Sequence, residues 1–218
     1  MSTASTSAPA SRSQAKLVFF AVFFALTAFV TYMKNAQIGD PASPIAQHFA
    51  PVKGFLIVHA FFGALAMLLG AFQFSSRLRA RYLNAHRMLG YVYVVSVFIA
   101  SPFGIPVAMK TGSMSLVAAS AVQSFGWMAC TAIALYCVRS GNIAQHRRWM
   151  IRGYPFAMVF TVARLIIGMP PVLARGDVAI ETVVWTCIAL AAFLPGIFLD
   201  WRTIFPRKAA RAAAVTAA

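Results

Sequence analysis

Stretches of mostly apolar residues alternate with short polar connections along the chain. The apolar stretches lie at about residues 17–33, 52–74, 86–106, 114–138, 150–169 and 181–199. Each is close to the roughly 20 residues that an α-helix needs to cross the hydrocarbon core of a bilayer. The pattern therefore predicts an all-α polytopic membrane protein, a bundle of six transmembrane helices.

The same pattern predicts the domain organisation. Residues 1–14 are rich in Ser, Thr, Ala and Pro and have no apolar period, which is typical of a disordered tail. Residues 15–203 form a single transmembrane domain, and residues 204–218 form a C-tail. We interpret residues 17–33 as a retained span rather than a cleaved signal peptide, because the stretch is long and no clear small-x-small cleavage site follows it.

The composition agrees with a membrane location. Hydrophobic residues make up 61% of the chain and charged residues 11%, whereas a soluble domain carries about a quarter charged residues. The net charge of +15 does not indicate nucleic-acid binding, because the basic residues stand in short connections between apolar stretches. The three cysteines lie inside apolar stretches without metal or redox spacing, which is typical of small buried hydrophobic residues.

The basic residues also predict an orientation. Of the 19 Lys and Arg residues, 14 lie in or within three residues of the two tails and the second–third and fourth–fifth connections, four lie in or within three residues of the other connections, and Arg164 lies within a span. By the positive-inside rule, both termini face the cytoplasm. We therefore predict a multi-pass protein of a bacterial cell (inner) membrane, whose partners are the lipid bilayer and the anionic lipids of its cytoplasmic face.

Two histidines carry the first functional hypothesis. His86 and His146 stand at the cytoplasmic ends of the third and fifth spans. They are hypothetical axial ligands of a haem b iron, because a bis-imidazole site takes one neutral histidine from each of two helices. The small and basic residues that would frame the porphyrin and its propionates are Gly90, Gly153, Arg87 and Arg147.

The alternative is that His86 and His146 are interfacial histidines in basic connections, hydrogen-bonded to the backbone or to lipid phosphate. In the haem hypothesis the protein transfers electrons and meets a redox partner, and a homo-oligomer is a further expectation. The sequence contains no Walker A loop, no GxSxG and no HExxH motif, so it indicates no enzymatic reaction.

A second polar site involves His59 and Arg164, in the outer halves of the second and fifth spans. Burial of His59 requires a hydrogen-bond partner, and a polar contact within the bundle is the alternative to a second haem ligand. Arg164 either extends toward Glu181 or Asp177, or lines an anionic pocket. A ligand at this pair would make the protein a small-molecule or lipid transporter or binding protein. Without chemistry at either site, it would be a structural membrane partner.

Small residues follow His59 along one face of the second span. Gly63, Ala66 and Gly70 continue from the histidine at helical spacings. Because small residues let membrane helices approach closely, we expect this face to pack against a neighbouring helix.

Three phrases of the sequence carry a family resemblance: HAFFGALAMLLGAFQF (59–74), AHRMLGYVYV (85–94) and AQHRRWMIRGYPFAMVFTVARL (144–165). They resemble the bacterial predicted membrane proteins of the domain of unknown function 2306 family, over about residues 52–170. This resemblance implies a helical membrane protein and names no activity.

A weaker resemblance is to transmembrane haem proteins of the cytochrome b561 type. In these, an H-x-x-x-G helix with a Gln near its end precedes a short basic loop and a second histidine-bearing helix. The residues that match this outline are His59, Gly63, Gln73, His86 and Gly90. The fourth span has no histidine, so the resemblance implies at most one haem, at the inner end.

Overall fold

The fold was analysed in a computed structural model, which describes residues 39–205 and, before them, residues 22, 24–26, 28, 29 and 32. Over these residues the regular structure is helical and contains no β-strand, which confirms the all-α prediction. The predicted disordered tail, most of the predicted first span and most of the C-tail lie outside the described residues. Phe24, one described residue of that first span, stacks on Phe72 with ring centroids 5.7 Å apart.

The helices of the continuous region 39–205 are, in chain order, α1 (Pro44–Phe49), α2 (Lys53–Gln73), α3 (Ser76–Arg81), α4 (Leu83–Met109), α5 (Met114–Arg139), α6 (Ile143–Ile167), α7 (Pro170–Leu173) and α8 (Asp177–Ile204). A 3-10 turn, Ala50–Val52, joins α1 to α2. By length and composition, five segments could cross a membrane: Pro44–Gln73, α4, α5, α6 and the Asp177–Trp201 part of α8. The polytopic architecture is thereby confirmed. The predicted first span (17–33), which would bring the number of spans to six, stays a prediction.

Side-chain caps determine where three helices begin. The capping oxygens belong to Ser75, Ser113 and Asn142, and they accept backbone N–H groups of Leu78, Leu116 and Gln145 at 3.2, 3.2 and 3.1 Å. Each cap satisfies an N–H that has no partner within its own helix. Because Asn142 caps α6, this helix begins at Ile143 rather than at about residue 150. His146 is therefore helical and does not lie in a connection.

α4 continues through Pro102 and Pro106 to Met109. The helix thus begins three residues before the predicted third span of about residues 86–106 and ends three residues after it. The carbonyl groups of Ala100 and Ser101, just before the first proline, accept hydrogen bonds from His59 Nδ1 at 2.8 Å and Ser124 Oγ at 3.1 Å. Side chains of the neighbouring helices therefore contact the backbone of α4 beside its first proline, and membrane helices tolerate proline in such polar surroundings.

The long helices pack as a four-helix ring with one additional helix. α2 packs along α4, α4 along α5, and α5 along α6, and α6 closes the ring by contacting α2. α8 lies outside the ring against α6, with fewer contacts to α5. This arrangement places α4 and α6 across the ring from each other.

Aromatic side chains fill the middle of the ring. Trp127 Nε1 of α5 donates to Tyr93 Oη of α4 at 3.1 Å, and Tyr154 Oη of α6 donates to the Met67 carbonyl of α2 at 2.9 Å. Both tyrosine rings close over Gly70, because a Cβ at that position would lie 2.5 Å from the Tyr154 ring and 2.9 Å from the Tyr93 ring. We call Tyr93, Trp127 and Tyr154 the aromatic layer.

Gly70→Ala should destabilise the protein by about 1–3 kcal/mol, because the new methyl group would enter the space of two rings that hydrogen bonds hold in place. Thermal unfolding in detergent measures the change. Gly63→Ala is the matched control on the same helix, since a Cβ there meets nothing within 4 Å. This control should be neutral, or more stable by up to about 1 kcal/mol, because alanine favours helix more than glycine does. Equal stability of the two variants would contradict the close packing at Gly70.

Candidate functional site

One face of α6 carries a histidine near the beginning of the helix and an arginine near its end. We call the end of the ring at which α6 begins the inner end, and the opposite end the outer end. His146 and Arg164 are 18 residues apart, which is five turns of an α-helix, so they lie on the same face. On the helical wheel this face falls between Gly153, which packs against Cys130 of α5, and Tyr154, which contacts α2. It therefore points into the ring, and the aromatic layer separates its two ends.

His146 has a defined ring orientation at the inner end. Its Nδ1 donates to the carbonyl oxygen of Ala134 in α5 at 2.9 Å, since a carbonyl can only accept. Its Nε2 has no hydrogen-bond partner among the described residues. A histidine held through Nδ1 with a free Nε2 is the arrangement that metal-binding histidines adopt.

His86 begins the opposite helix, α4, at the same end of the ring. Its Nδ1 is buried and has no hydrogen-bond partner within residues 39–205. The two histidines that the sequence paired therefore lie at the same end of the ring, on helices that face each other across it.

The two glycines of the predicted porphyrin slot face protein atoms. A Cβ at Gly90 would lie 3.5 Å from Gln73 Oε1, and a Cβ at Gly153 would lie 2.9 Å from Cys130 Cβ. Gly90 therefore lets α2 approach α4, and Gly153 lets α5 approach α6. Gln73, whose Oε1 lies next to Gly90, contributes a second buried group without a described partner, its Nε2. No separate role was predicted for Gln73, although a glutamine at the end of an apolar span was a signal for one.

The basic residues of the inner end fall into two groups. Arg87 and Arg147 are exposed. Arg148 forms an ion pair with Asp200 of α8, and Arg152 lies 3.7 Å from the same carboxylate. The pairing with Asp200 was not predicted, and it neutralises part of the charge at this end.

The outer end contains His59, partly buried between α2 and α4. Its Nδ1 donates to the Ala100 carbonyl at 2.8 Å, and Gly104 leaves room for the ring, because a Cβ there would lie 2.9 Å from two ring atoms. The predicted polar contact of His59 is therefore with a backbone carbonyl. His48 lies apart from this site, because its Nε2 hydrogen-bonds the Lys110 carbonyl at 3.0 Å.

Arg164 does not pair with the acids proposed for it. Glu181 accepts a hydrogen bond from Ser113 Oγ at 2.5 Å, and no described residue forms a salt bridge or side-chain hydrogen bond with Arg164. The Arg164 side chain is exposed by surface area and lies at the outer end of the ring, the same end as His59.

The chain was also compared with known proteins. The model of a family described as predicted membrane protein (DUF2306) matches residues 56–204. No curated protein and no solved structure matches the chain. The resemblance to proteins of the cytochrome b561 type therefore stays a prediction.

Tyr93→Phe should destabilise the protein by about 1–3 kcal/mol, because the buried Trp127 N–H loses its acceptor. Tyr91→Phe is the matched control, since Tyr91 lies on the same helix with 54% of its surface exposed. Its effect should stay within about 0.5 kcal/mol. Chemical unfolding followed by tryptophan fluorescence compares the two. A loss in Tyr91→Phe as large as in Tyr93→Phe would show that the Trp127–Tyr93 bond does not stabilise the layer.

Proposed function

The chain belongs to the DUF2306 family of predicted membrane proteins, and we propose that it is a b-type haem protein that transfers electrons. The family description names no activity, so the proposal rests on the residues at the inner end of the bundle. His86 and His146 would be the axial ligands. A bound haem would supply one-electron redox chemistry. All other features of the proposal concern residues of the chain itself.

The hydrogen bond from His146 Nδ1 to the Ala134 carbonyl carries the proposal. It fixes the ring orientation and, in the neutral ring, leaves the lone pair on Nε2, on the face of α6 that points into the ring. The same bond satisfies an interfacial histidine, and the proposal adds that Nε2 of this ring binds the haem iron.

His86 supports the proposal through its unsatisfied nitrogen. A buried imidazole nitrogen without a partner costs free energy unless another group satisfies it. α4 and α6 stand across the ring from each other, so each of these helices would supply one of the two imidazoles that hold the iron. The donor set of two imidazoles and no carboxylate suits a haem iron.

The exposed basic residues around the inner end suit the anionic propionate edge of a haem. Arg87 and Arg147 are exposed there and have no described acidic partner, so their guanidinium groups are free to pair with propionates. The proposal does not rest on a slot at Gly90 and Gly153, because Gln73 and Cys130 occupy the space beside these glycines.

The test is an absorption spectrum of the full chain, purified in detergent from haem-supplemented cells, before and after dithionite reduction. We expect a Soret band with sharp α and β bands on reduction, and their loss in His86→Phe and in His146→Phe. His48→Phe is the matched control, because His48 bonds to Lys110 outside the ring. A colourless wild-type protein, or bands that survive in both inner variants, would contradict the proposal.

We further propose that the inner end faces the cytoplasm of a bacterial cell, as the distribution of basic residues favours. In a variant without native cysteines, Ser140→Cys should resist a membrane-impermeant maleimide applied to intact cells, whereas Ala174→Cys should react. Both positions are exposed, and they lie at opposite ends of α6 and its neighbours. The reverse labelling pattern would show the opposite orientation.

A further inference from the structure

The outer end of the ring contains a positive charge that no acidic side chain of the protein neutralises. The sequence has four Asp and Glu residues, and all four are described. Asp200 pairs with arginines at the inner end, Glu181 accepts from Ser113, and Asp40 accepts from the Ala42 N–H. Asp177 lies in the first turn of α8 and forms no described salt bridge. Arg164 is left without a counter-charge.

The position of Arg164 makes this charge costly. It lies three residues before the end of α6, about 4.5 Å along the helix axis, and its face points into the ring rather than outward. A guanidinium held inside a membrane bundle without an acid marks a functional site more often than a structural one. The complementary ligand is an anion.

His59 adds a second, different requirement. Its Nδ1 is committed to the Ala100 carbonyl, so a neutral ring presents a hydrogen-bond acceptor at Nε2. Nε2 has no partner among the residues that the structure describes. Thr161 Oγ1 of α6 donates to Met67 Sδ of α2 at 3.5 Å, and both Arg164 and His59 lie on the outer side of this contact. A ligand that satisfies both groups therefore needs a negative oxygen and a hydrogen-bond donor.

From this pair of groups we infer that Arg164 and His59 form a binding site for a phosphate group that retains a P–OH, as in hydrogen phosphate or a phosphate monoester. Its charged oxygens pair with the Arg164 guanidinium in the bidentate geometry that arginine offers to phosphate. Its hydroxyl donates to His59 Nε2. A carboxylate would satisfy only the arginine. The site is at the opposite end of the ring from His86 and His146. The inference about phosphate binding is therefore independent of the haem proposal.

Two sources can present this chemistry, a free phosphate ion from the outer solution or a phosphatidic acid headgroup from the outer leaflet. Equilibrium dialysis of the purified full chain with radiolabelled phosphate at neutral pH tests the first source. Native mass spectrometry of the protein from nanodiscs of phosphatidylcholine, with and without phosphatidic acid, tests the second. Saturable binding of either ligand that depends on Arg164 supports the inference and identifies the source.

The variants separate the two groups of the site. Arg164→Gln should weaken binding by about 10-fold or more, because a charge-assisted hydrogen bond is lost. Arg164→Lys should retain part of the affinity, since it keeps the charge without the bidentate geometry. Arg175→Gln, which removes a charge from the exposed outer connection, is the matched control and should bind like the wild type.

Sulfate provides the specific test of His59, because it resembles phosphate but has no hydroxyl at neutral pH. The wild type should prefer phosphate over sulfate by about 5- to 10-fold, the contribution of one hydrogen bond. His59→Phe should bind both anions equally. Gly104→Ala should also remove the preference for phosphate over sulfate, because its methyl group would displace the His59 imidazole without removing it.

The inference is overturned if neither phosphate nor phosphatidic acid binds saturably to the wild type. It is also overturned if Arg164→Gln binds as well as Arg175→Gln does, or if His59→Phe keeps the preference for phosphate. Thermal unfolding of each variant shows whether it is folded. If Arg164→Gln does not fold, Arg164→Lys and His59→Phe decide the question.

Discussion

The close approach of α2 to its neighbours at Gly70 is the contact on which the rest of the bundle depends. Tyr93 of α4 and Tyr154 of α6 both occupy the space that a side chain at Gly70 would fill. Trp127 of α5 hydrogen-bonds Tyr93, so all four helices of the ring meet at one level. In a bilayer, helices gain little from burying apolar surface against each other, and fitted packing with hydrogen bonds provides the stability. The aromatic layer also divides the interior into an inner and an outer polar end.

The histidines at the two ends of the ring are held by the same type of hydrogen bond. His59 and His146 each donate Nδ1–H to a backbone carbonyl of the adjacent helix, at 2.8 and 2.9 Å. Because a carbonyl can only accept, these bonds select the tautomer and leave Nε2 as the available nitrogen. The difference between the ends comes from the surrounding charges. At the inner end a second histidine stands on the helix across the ring, whereas the outer end of the ring holds Arg164.

The distribution of four acidic residues explains much of the remaining electrostatics. Asp200 pairs with Arg148 and Arg152, so α8 is linked to α6 at the inner end by charge as well as by packing. These side chains are partly exposed, so the pairing contributes more to the position of the helices than to stability. Glu181 binds Ser113, the cap of α5, and is therefore unavailable to Arg164.

The sequence by itself determined the membrane-embedded helical class and the family, because long apolar runs leave a bilayer span as their main solution. It also placed His86 and His146 at one end, since the alternation of connections sets which helix ends share a side.

Only the tertiary structure decided which helices are neighbours and that Gly70 rather than Gly63 is a packing position. It also showed that Gln73 fills the space beside Gly90, and that Cys130 fills the space beside Gly153. It also decided that Arg164 has no acidic partner. Hydrophobic periodicity identifies the buried face of a helix, but the partner of a buried polar group depends on how neighbouring helices are rotated, and that is set by side-chain fit across the whole ring.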